Sequence, residues 1–404
     1  MQDAGTVKTG KLYDVDAYRR EFSAKVMSVS GNDVVLDATL FFPEEGGQEA
    51  DRGMLGGYEV EDVLIRDGEI HHLLRVSEEE KESFGAVFVP GAEAAGLIDF
   101  ERRFSNMQQH SGEHIFSGIV HKRFGLDNVG FHLSEREVTL DFNGVLTMEQ
   151  LLSAEEEANR VIMSDVKSEI LLTTREERAR IDYRSKLDLD GEVRLVIFPG
   201  ADICACCAPH VRRTGEIGLL KVIGAVRWKS GIRVNILCGK RALKHYDREH
   251  ELLTAAANEL TTAAEQVPAL LMRLRDENRR LKAALSEARA ELLLHEAVQA
   301  DPRQRILVLF RRELEPETAR RALNAIIRER GGLTAVFFGN DRGGYSFVIG
   351  SADFDCRKLM TELKEVLKAR GGGKAAFVQG SVNADEMTIR AFLSEVDFSA
   401  AVCR

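Results

Sequence analysis

Two histidines stand four residues apart in the stretch QQHSGEHIF, at His110 and His114. On a helix that spacing puts both imidazoles on one face, one turn apart, where they can chelate a single ion. Almost a hundred residues later, CACCAPHVRRTGEIG repeats the arrangement with Cys206 and His210. Three imidazoles and one thiolate form a nitrogen and sulfur donor set suited to zinc. The first stretch also spells H-x-x-E-H, the signature of inverted zinc peptidases, in which Glu113 would be the general base. That reading needs a distant acidic third ligand, which nothing in the sequence singles out, and cysteine is an unusual ligand for such chemistry. Cys204 and Cys207 remain alternative ligands beside Cys206.

Helices and strands must hold these groups. The run DFERRFSNMQQHSGEHIFSGIVHKRF carries Phe104, Met107, Ile115, Ile119 and Val120 at helical spacing, which predicts a helix through both histidines. Upstream, KVMSVSGNDVVLDATLFF alternates like two strands around a turn at Gly31 and Asn32, and MLGGYEVEDVLIRDGEIHHLL repeats the pattern. A small antiparallel barrel closes so many short strands. The SEEEKES segment reads as a solvated turn. Beyond the histidines, EVTLDF reads as a strand, and TMEQLLSAEEEANRVIMSD as an amphipathic helix capped by Thr147. The strand-like runs VRLVIF and IGLLKVIGAVRW flank the cysteines, and IRVNILCG closes an α+β region.

The next segment is helical with a break at Pro268. After it, Leu271, Leu274, Asn278, Leu281, Leu285, Ala288 and Leu292 alternate spacings of three and four. Such a seam, with Asn278 fixing register, predicts a coiled coil and a homodimer; a helical hairpin folded at Pro268 is the alternative. The remainder reads as a compact α/β module. Its RGGGK (Arg370 to Lys374) is expected to be a loop whose backbone N–H groups approach a phosphate, with Lys374 adding charge. The fold class expected is thus α+β multidomain, divided as 1–95, 96–242, 243–298 and 299–404.

With 44% hydrophobic and 30% charged residues, the composition is that of a globular protein. No run of about 18 apolar residues occurs and MQDAGTVKTGKLY has no apolar core, so neither membrane insertion nor secretion is expected. Three of the six cysteines crowd together, which suits reduced thiols near a metal better than a disulfide framework. Cys238, Cys356 and Cys403 read as small apolar packing residues. A net charge of −10 argues against a general nucleic-acid coat but leaves room for a local basic face. Its candidates are Arg102 with Arg103, Arg212 with Arg213, Arg227 with Lys229, and Lys240 with Arg241.

The two metal motifs resemble the H-x3-H and C-x3-H pair of the alanyl-tRNA synthetase editing domain and its free-standing AlaX relatives. DFERRFSNMQQHSGEH resembles that family's helix entry, and GIRVNI the strand after its zinc loop. KLYDVDAYRREFSAKV and DATLFFPEEGGQEADRG are similar to its N-terminal barrel and glycine-rich segment. The match runs in order over residues 10 to 245. The helical arm and the α/β domain with its triglycine resemble the synthetase C-terminal domain, as in the long form of AlaX. The resemblance implies a cytoplasmic zinc enzyme that hydrolyses alanine tRNA mischarged with serine or glycine. It implies zinc held by His110, His114, Cys206 and His210, and an amino-acid pocket with Thr39 and Gln48 as catalytic residues. It further implies tRNA contacts from Arg102, Arg103, Arg212, Arg233, Gly371, Gly372, Gly373 and Lys374, and binding of nucleotides such as ATP. One departure concerns the segment Cys206-Cys207-Ala208-Pro209-His210, where the family often has C-G-G-T-H. The missing Thr hydroxyl bears on amino-acid preference, and an RNA-binding protein with a purely structural zinc is the alternative.

Overall fold

The computed structural model describes residues 8–135, 137–185, 191–301 and 303–396. Cys403 lies outside the described residues. The chain forms two compact units, Met1–Leu253 and Thr254–Arg404.

In the first unit, six strands close a barrel in the order Glu21–Ser30, Asp33–Leu36, Glu69–Leu74, Tyr58–Arg66, Gly53–Leu55 and Glu93–Ile98. Every pairing is antiparallel. The period-two alternation seen in the sequence is the burial pattern of Glu93–Ile98, whose odd residues face out and even residues face the core. Phe22, Val26, Val34, Leu55, Val60 and Ile70 fill that core. The SEEEKES segment is helical rather than a bare turn. A single 3-10 turn, Glu78–Glu80, runs into the helix Lys81–Val87, which buries Phe84 in the barrel core.

The helix Phe100–Phe124 follows, capped by the Asp99 side chain at its start and by left-handed Gly125 at its end. It is buried on every side from Asn106 to Val120. On one flank lies a four-stranded sheet in the order Leu220–Trp228, Gly231–Cys238, Val138–Phe142 and Asn128–Leu133. The Gln109 amide grips the end of that sheet, donating to the Cys238 carbonyl at 2.8 Å and accepting from its N–H at 2.7 Å. The helix Met148–Met163 covers the same core, opened by the capping box of Thr147 and Gln150. A separate antiparallel meander, Glu169–Thr173, Val193–Phe198 and Asp202–Ala205, leads directly into the cysteine loop.

The second unit carries a five-stranded sheet in the order Ile306–Arg311, Leu333–Asn340, Gly344–Ser351, Phe377–Val382 and Arg370–Lys374. Only its first pair is parallel. The RGGGK segment is therefore not a loop but the exposed edge strand. Two of its glycines are demanded by strand pairing. A Cβ on Gly371 would lie 2.3 Å from the Gln379 carbonyl oxygen, and one on Gly373 2.2 Å from that of Phe377. The helical break falls at residues 260–266, and Pro268 opens the next helix, Val267–Gln299, in its first turn. Near its end, Leu293 and Ala297 are buried with the helix Pro316–Arg330. Leu271, Leu274, Leu281, Leu285 and Leu292 are all exposed. Cys238 and Cys356 are fully buried in apolar cores.

Candidate metal centre

His110, His114, Cys206 and His210 come together: one donor atom from each lies within 4.8 Å of every other. The helix supplies the first pair and the loop after Asp202–Ala205 the second. The three histidines are 2 to 5% exposed. Cys206 packs against both the barrel core and the helix core, so the loop is wedged between the two.

Each imidazole is aimed by its Nδ1. That of His110 meets Gln48 Oε1 at 2.8 Å, that of His114 meets the Asp202 carboxylate at 3.1 Å, and that of His210 meets Ser111 Oγ at 3.0 Å. The Nε2 atoms are the nitrogens that face the common centre, that of His114 lying 3.9 Å from Glu113 Oε2 as well. The His110 and His210 Nε2 atoms lie 3.6 and 3.3 Å from the Cys206 sulfur. Ligands around one tetrahedral zinc, with bonds of about 2.0–2.1 Å to nitrogen and 2.3 Å to sulfur, stand about 3.6 Å apart. The residues fit the ion. Asp202 is itself fixed by Arg184, whose Nε and a terminal nitrogen donate to the two carboxylate oxygens at 2.7 and 2.9 Å. Such carboxylate–histidine–metal relays set the tautomer and strengthen the ligand.

Electrostatics agree with the geometry. Burial, and then the neighbouring imidazoles of His114 and His110, hold His210 well below the usual histidine range, so it is neutral and able to ligate. Burial pushes the Cys206 thiol well above its ordinary value. A bound divalent cation would make the thiolate favourable.

The neighbouring residues sort themselves around this core. Cys204 forms a second group with His114 and Asp202, whereas Cys207 belongs to neither group and faces Glu45. Glu113 is 4% exposed and its carboxylate accepts from Ser117 Oγ at 2.7 Å and Asn128 Nδ2 at 2.6 Å. Both bonds fall on Oε1, and Oε2 lies 3.9 Å from His114 Nε2 at the edge of the centre. No carboxylate is among the four converging donors, which does not suit an inverted zinc peptidase. Gln48 is completely buried; its Oε1 supports His110, and its Nε2 has no hydrogen-bond partner among the described residues. Thr39 is also completely enclosed. Because His72 Nδ1 donates to the Val34 carbonyl at 2.9 Å, its Nε2 must accept the Thr39 hydroxyl proton, also at 2.9 Å. Thr39 Oγ1 accepts in turn from the Phe41 N–H at 3.0 Å, which leaves the hydroxyl one lone pair for anything else.

The arginines expected at tRNA divide sharply. Arg103 is a correction: it is 0% exposed, its guanidinium clamped on Asp51 and on the carbonyls of Ala17 and Leu40. It is a core residue and cannot meet a phosphate. Arg102 is nearly enclosed, with Glu49 at 2.8 Å. Arg212 is exposed, lying over the Tyr18 ring and paired with Asp16. Arg233 is half-buried, gripping both oxygens of Asp141 at 2.6 and 2.7 Å. Gln48, Asp202, Ser111 and Arg184 complete the centre; of these, only Gln48 stood out in the sequence.

Residues 193–235, which include Cys206 and His210, match the domain described as the threonyl and alanyl tRNA synthetase second additional domain. Over nearly its whole length the chain resembles the free-standing AlaX-type alanyl-tRNA editing proteins and the matching part of the alanyl-tRNA synthetases. The alanyl-tRNA editing protein AlaX-L of Pyrococcus horikoshii is 27% identical over 93% of this chain and 95% of its own length. The alanyl-tRNA editing protein Aarsd1 of Rattus norvegicus is 26% identical over 93% and 94%. The alanine–tRNA ligase of Ignicoccus hospitalis is 29% identical over 92% of this chain, which spans only 41% of that enzyme. Among the described residues, no helix is long and apolar enough to cross a membrane.

Proposed function

We propose that the chain is a trans-editing deacylase that hydrolyses mischarged alanine tRNA, seryl-tRNA(Ala) and glycyl-tRNA(Ala), at the His110–His114–Cys206–His210 centre. The convergence of those four donors on one point, in a chain similar end to end to editing proteins, is the observation that carries the reading. The four residues would hold zinc, which supplies a positive centre that orders the substrate end and polarises groups beside it. An aminoacyl ester is already activated, so the protein mainly has to position water and stabilise the oxyanion of the tetrahedral intermediate. The unpartnered Gln48 Nε2, one side chain away from His110, is the donor we assign to that oxyanion. Thr39 is enclosed in the barrel wall, so only where that wall opens to the substrate would it accept the serine hydroxyl through its remaining lone pair, which alanine cannot exploit. This selects the residue that an apolar synthetic site rejects only weakly. Exposed cations, with Arg212 and Lys374 first among those expected, would hold phosphates.

The closed character of the donor set favours one second reading. Four protein ligands fill a zinc tetrahedron, as in structural sites, and would suit an RNA-binding protein without hydrolytic activity. Single-turnover deacylation of seryl-, glycyl- and alanyl-tRNA(Ala), with Cys206→Ala alongside, separates the two. Rapid loss of the seryl ester, with alanyl spared and the variant inactive, is expected. No ester lost faster than in buffer, with tRNA still bound, overturns the deacylase.

A further inference from the structure

The hairpin joining Leu220–Trp228 to Gly231–Cys238 carries a feature that the metal centre does not use. Residues 217–246 contain seven cations (Lys221, Arg227, Lys229, Arg233, Lys240, Arg241 and Lys244) and no acidic residue, in a chain of net charge −10. At the hairpin tip stands Trp228, the single tryptophan of the chain, 40% exposed. Cross-strand partners share a face, and Val226 pairs with Arg233, Trp228 with Gly231, and Arg233 with Asp141. Trp228, Val226 and Arg233 therefore stand together on the outer face of the sheet, while Ile232, Val234 and Ile236 fill the core behind.

Arg233 is not a free cation there. Its Nε and one terminal nitrogen are spent on Asp141, and its guanidinium carbon sits 3.9 Å from the indole centroid. The guanidinium lies over the ring, with the Lys229 ammonium 6.0 Å from the same centroid. Val226, 59% exposed, extends the apolar surface beside the ring. Lys221 and Lys240 are paired with Glu155 and Glu101, while Arg227 and Lys229 stand exposed at the hairpin tip. A solvent-facing aromatic plane flanked by such cations is what a sheet uses to stack an unpaired base while cations meet the backbone.

We infer that the Trp228 indole, buttressed by Arg233, is a stacking contact for an unpaired base of RNA. This rests on the tRNA reading above for the identity of the RNA. The contact is a positioning one. Along the strand from Gly231 to Cys238, whose backbone is gripped by Gln109 next to His110, the chain covers about 23 Å at roughly 3.3 Å per residue. The base held at the tip is thus remote from the reacting ester.

Because Trp228 is the sole tryptophan, emission from the full-length protein reports this site alone. Titration with uncharged tRNA(Ala) should quench it saturably. By filter retention, Trp228→Ala should bind that tRNA on the order of ten-fold more weakly, and Trp228→Phe, which keeps an aromatic face, nearly as well as the parent. Unchanged emission while tRNA is retained overturns the contact, and so does quenching by phosphatidylserine vesicles but not by tRNA. A protein that deacylates seryl-tRNA(Ala) with unaltered emission sinks this inference and spares the proposed activity. Quenching by tRNA without deacylation does the reverse.

Discussion

Replacing Gly112 by alanine puts a methyl group into the seam that positions both helical histidines. The new Cβ would stand 2.3 Å from the Cys238 sulfur, with Leu220 Cδ1 at 3.4 Å and Cys238 Cβ at 3.5 Å. Ordinary contacts begin near 3.4 Å, so helix and sheet must part by about 1 Å. Overpacking of this kind costs about 1–3 kcal/mol, against which alanine regains about 1 kcal/mol of helix propensity. In a Cys238→Ala background the sulfur is gone and the remaining neighbours sit at tolerable distance. There the same change should be neutral or stabilising. Urea unfolding of the metal-free protein, followed by the emission of Trp228 in the first unit, would give the four corners of the cycle. A coupling of about 1–3 kcal/mol is expected, and the single variant should also bind zinc more weakly because Gly112 lies between His110 and His114. An equal cost of Gly112→Ala in both backgrounds would refute the argument.

Three further outcomes follow from named contacts. Asp202→Asn, which weakens the carboxylate behind His114 Nδ1, should lower zinc affinity roughly 10- to 100-fold in competition with a chromophoric chelator. Asp51→Asn strips the partner from fully buried Arg103 and should cost about 3–5 kcal/mol in urea unfolding; loss of tRNA affinity without loss of stability would contradict the core assignment. Burial holds the enclosed His72 down to about 4 from 6.5. The unfolded chain therefore takes the proton first, and stability present above pH 6.5 drains away as pH falls towards 4, by about 3 kcal/mol in all. His72→Asn should flatten that part of the unfolding pH profile, and an unchanged slope would assign it to other groups.

The four converging donors were legible because each pair sits within a few residues, where spacing and geometry are nearly the same thing. Their supports were not. Asp202 reaches His114 across 88 positions and Ser111 reaches His210 across 99, separations that only the packed fold brings to contact. Gln48 was singled out through the resemblance, but its hold on His110, 62 positions on, was invisible. Arg102 and Arg103 read as one basic pair, yet the helix points Arg103 inward onto Asp51 and leaves Arg102 at the rim. The triglycine misled for a physical reason. Glycine is a poor strand former by itself, but at Gly371 and Gly373 the neighbouring backbone comes so close that no other residue fits. The β-rich first hundred residues and the long histidine helix were plain from periodicity alone. The leucines from Leu271 to Leu292 are exposed, and nothing in the structure supports the coiled coil or homodimer expected of them.

Zinc-edge X-ray absorption of the purified full-length protein tests the central claim most directly. The account predicts one tightly bound zinc per chain, with three nitrogen scatterers near 2.0–2.1 Å and a single sulfur near 2.3 Å, the sulfur vanishing in Cys206→Ala. Two or more sulfur scatterers, or a protein that retains no zinc, would contradict it.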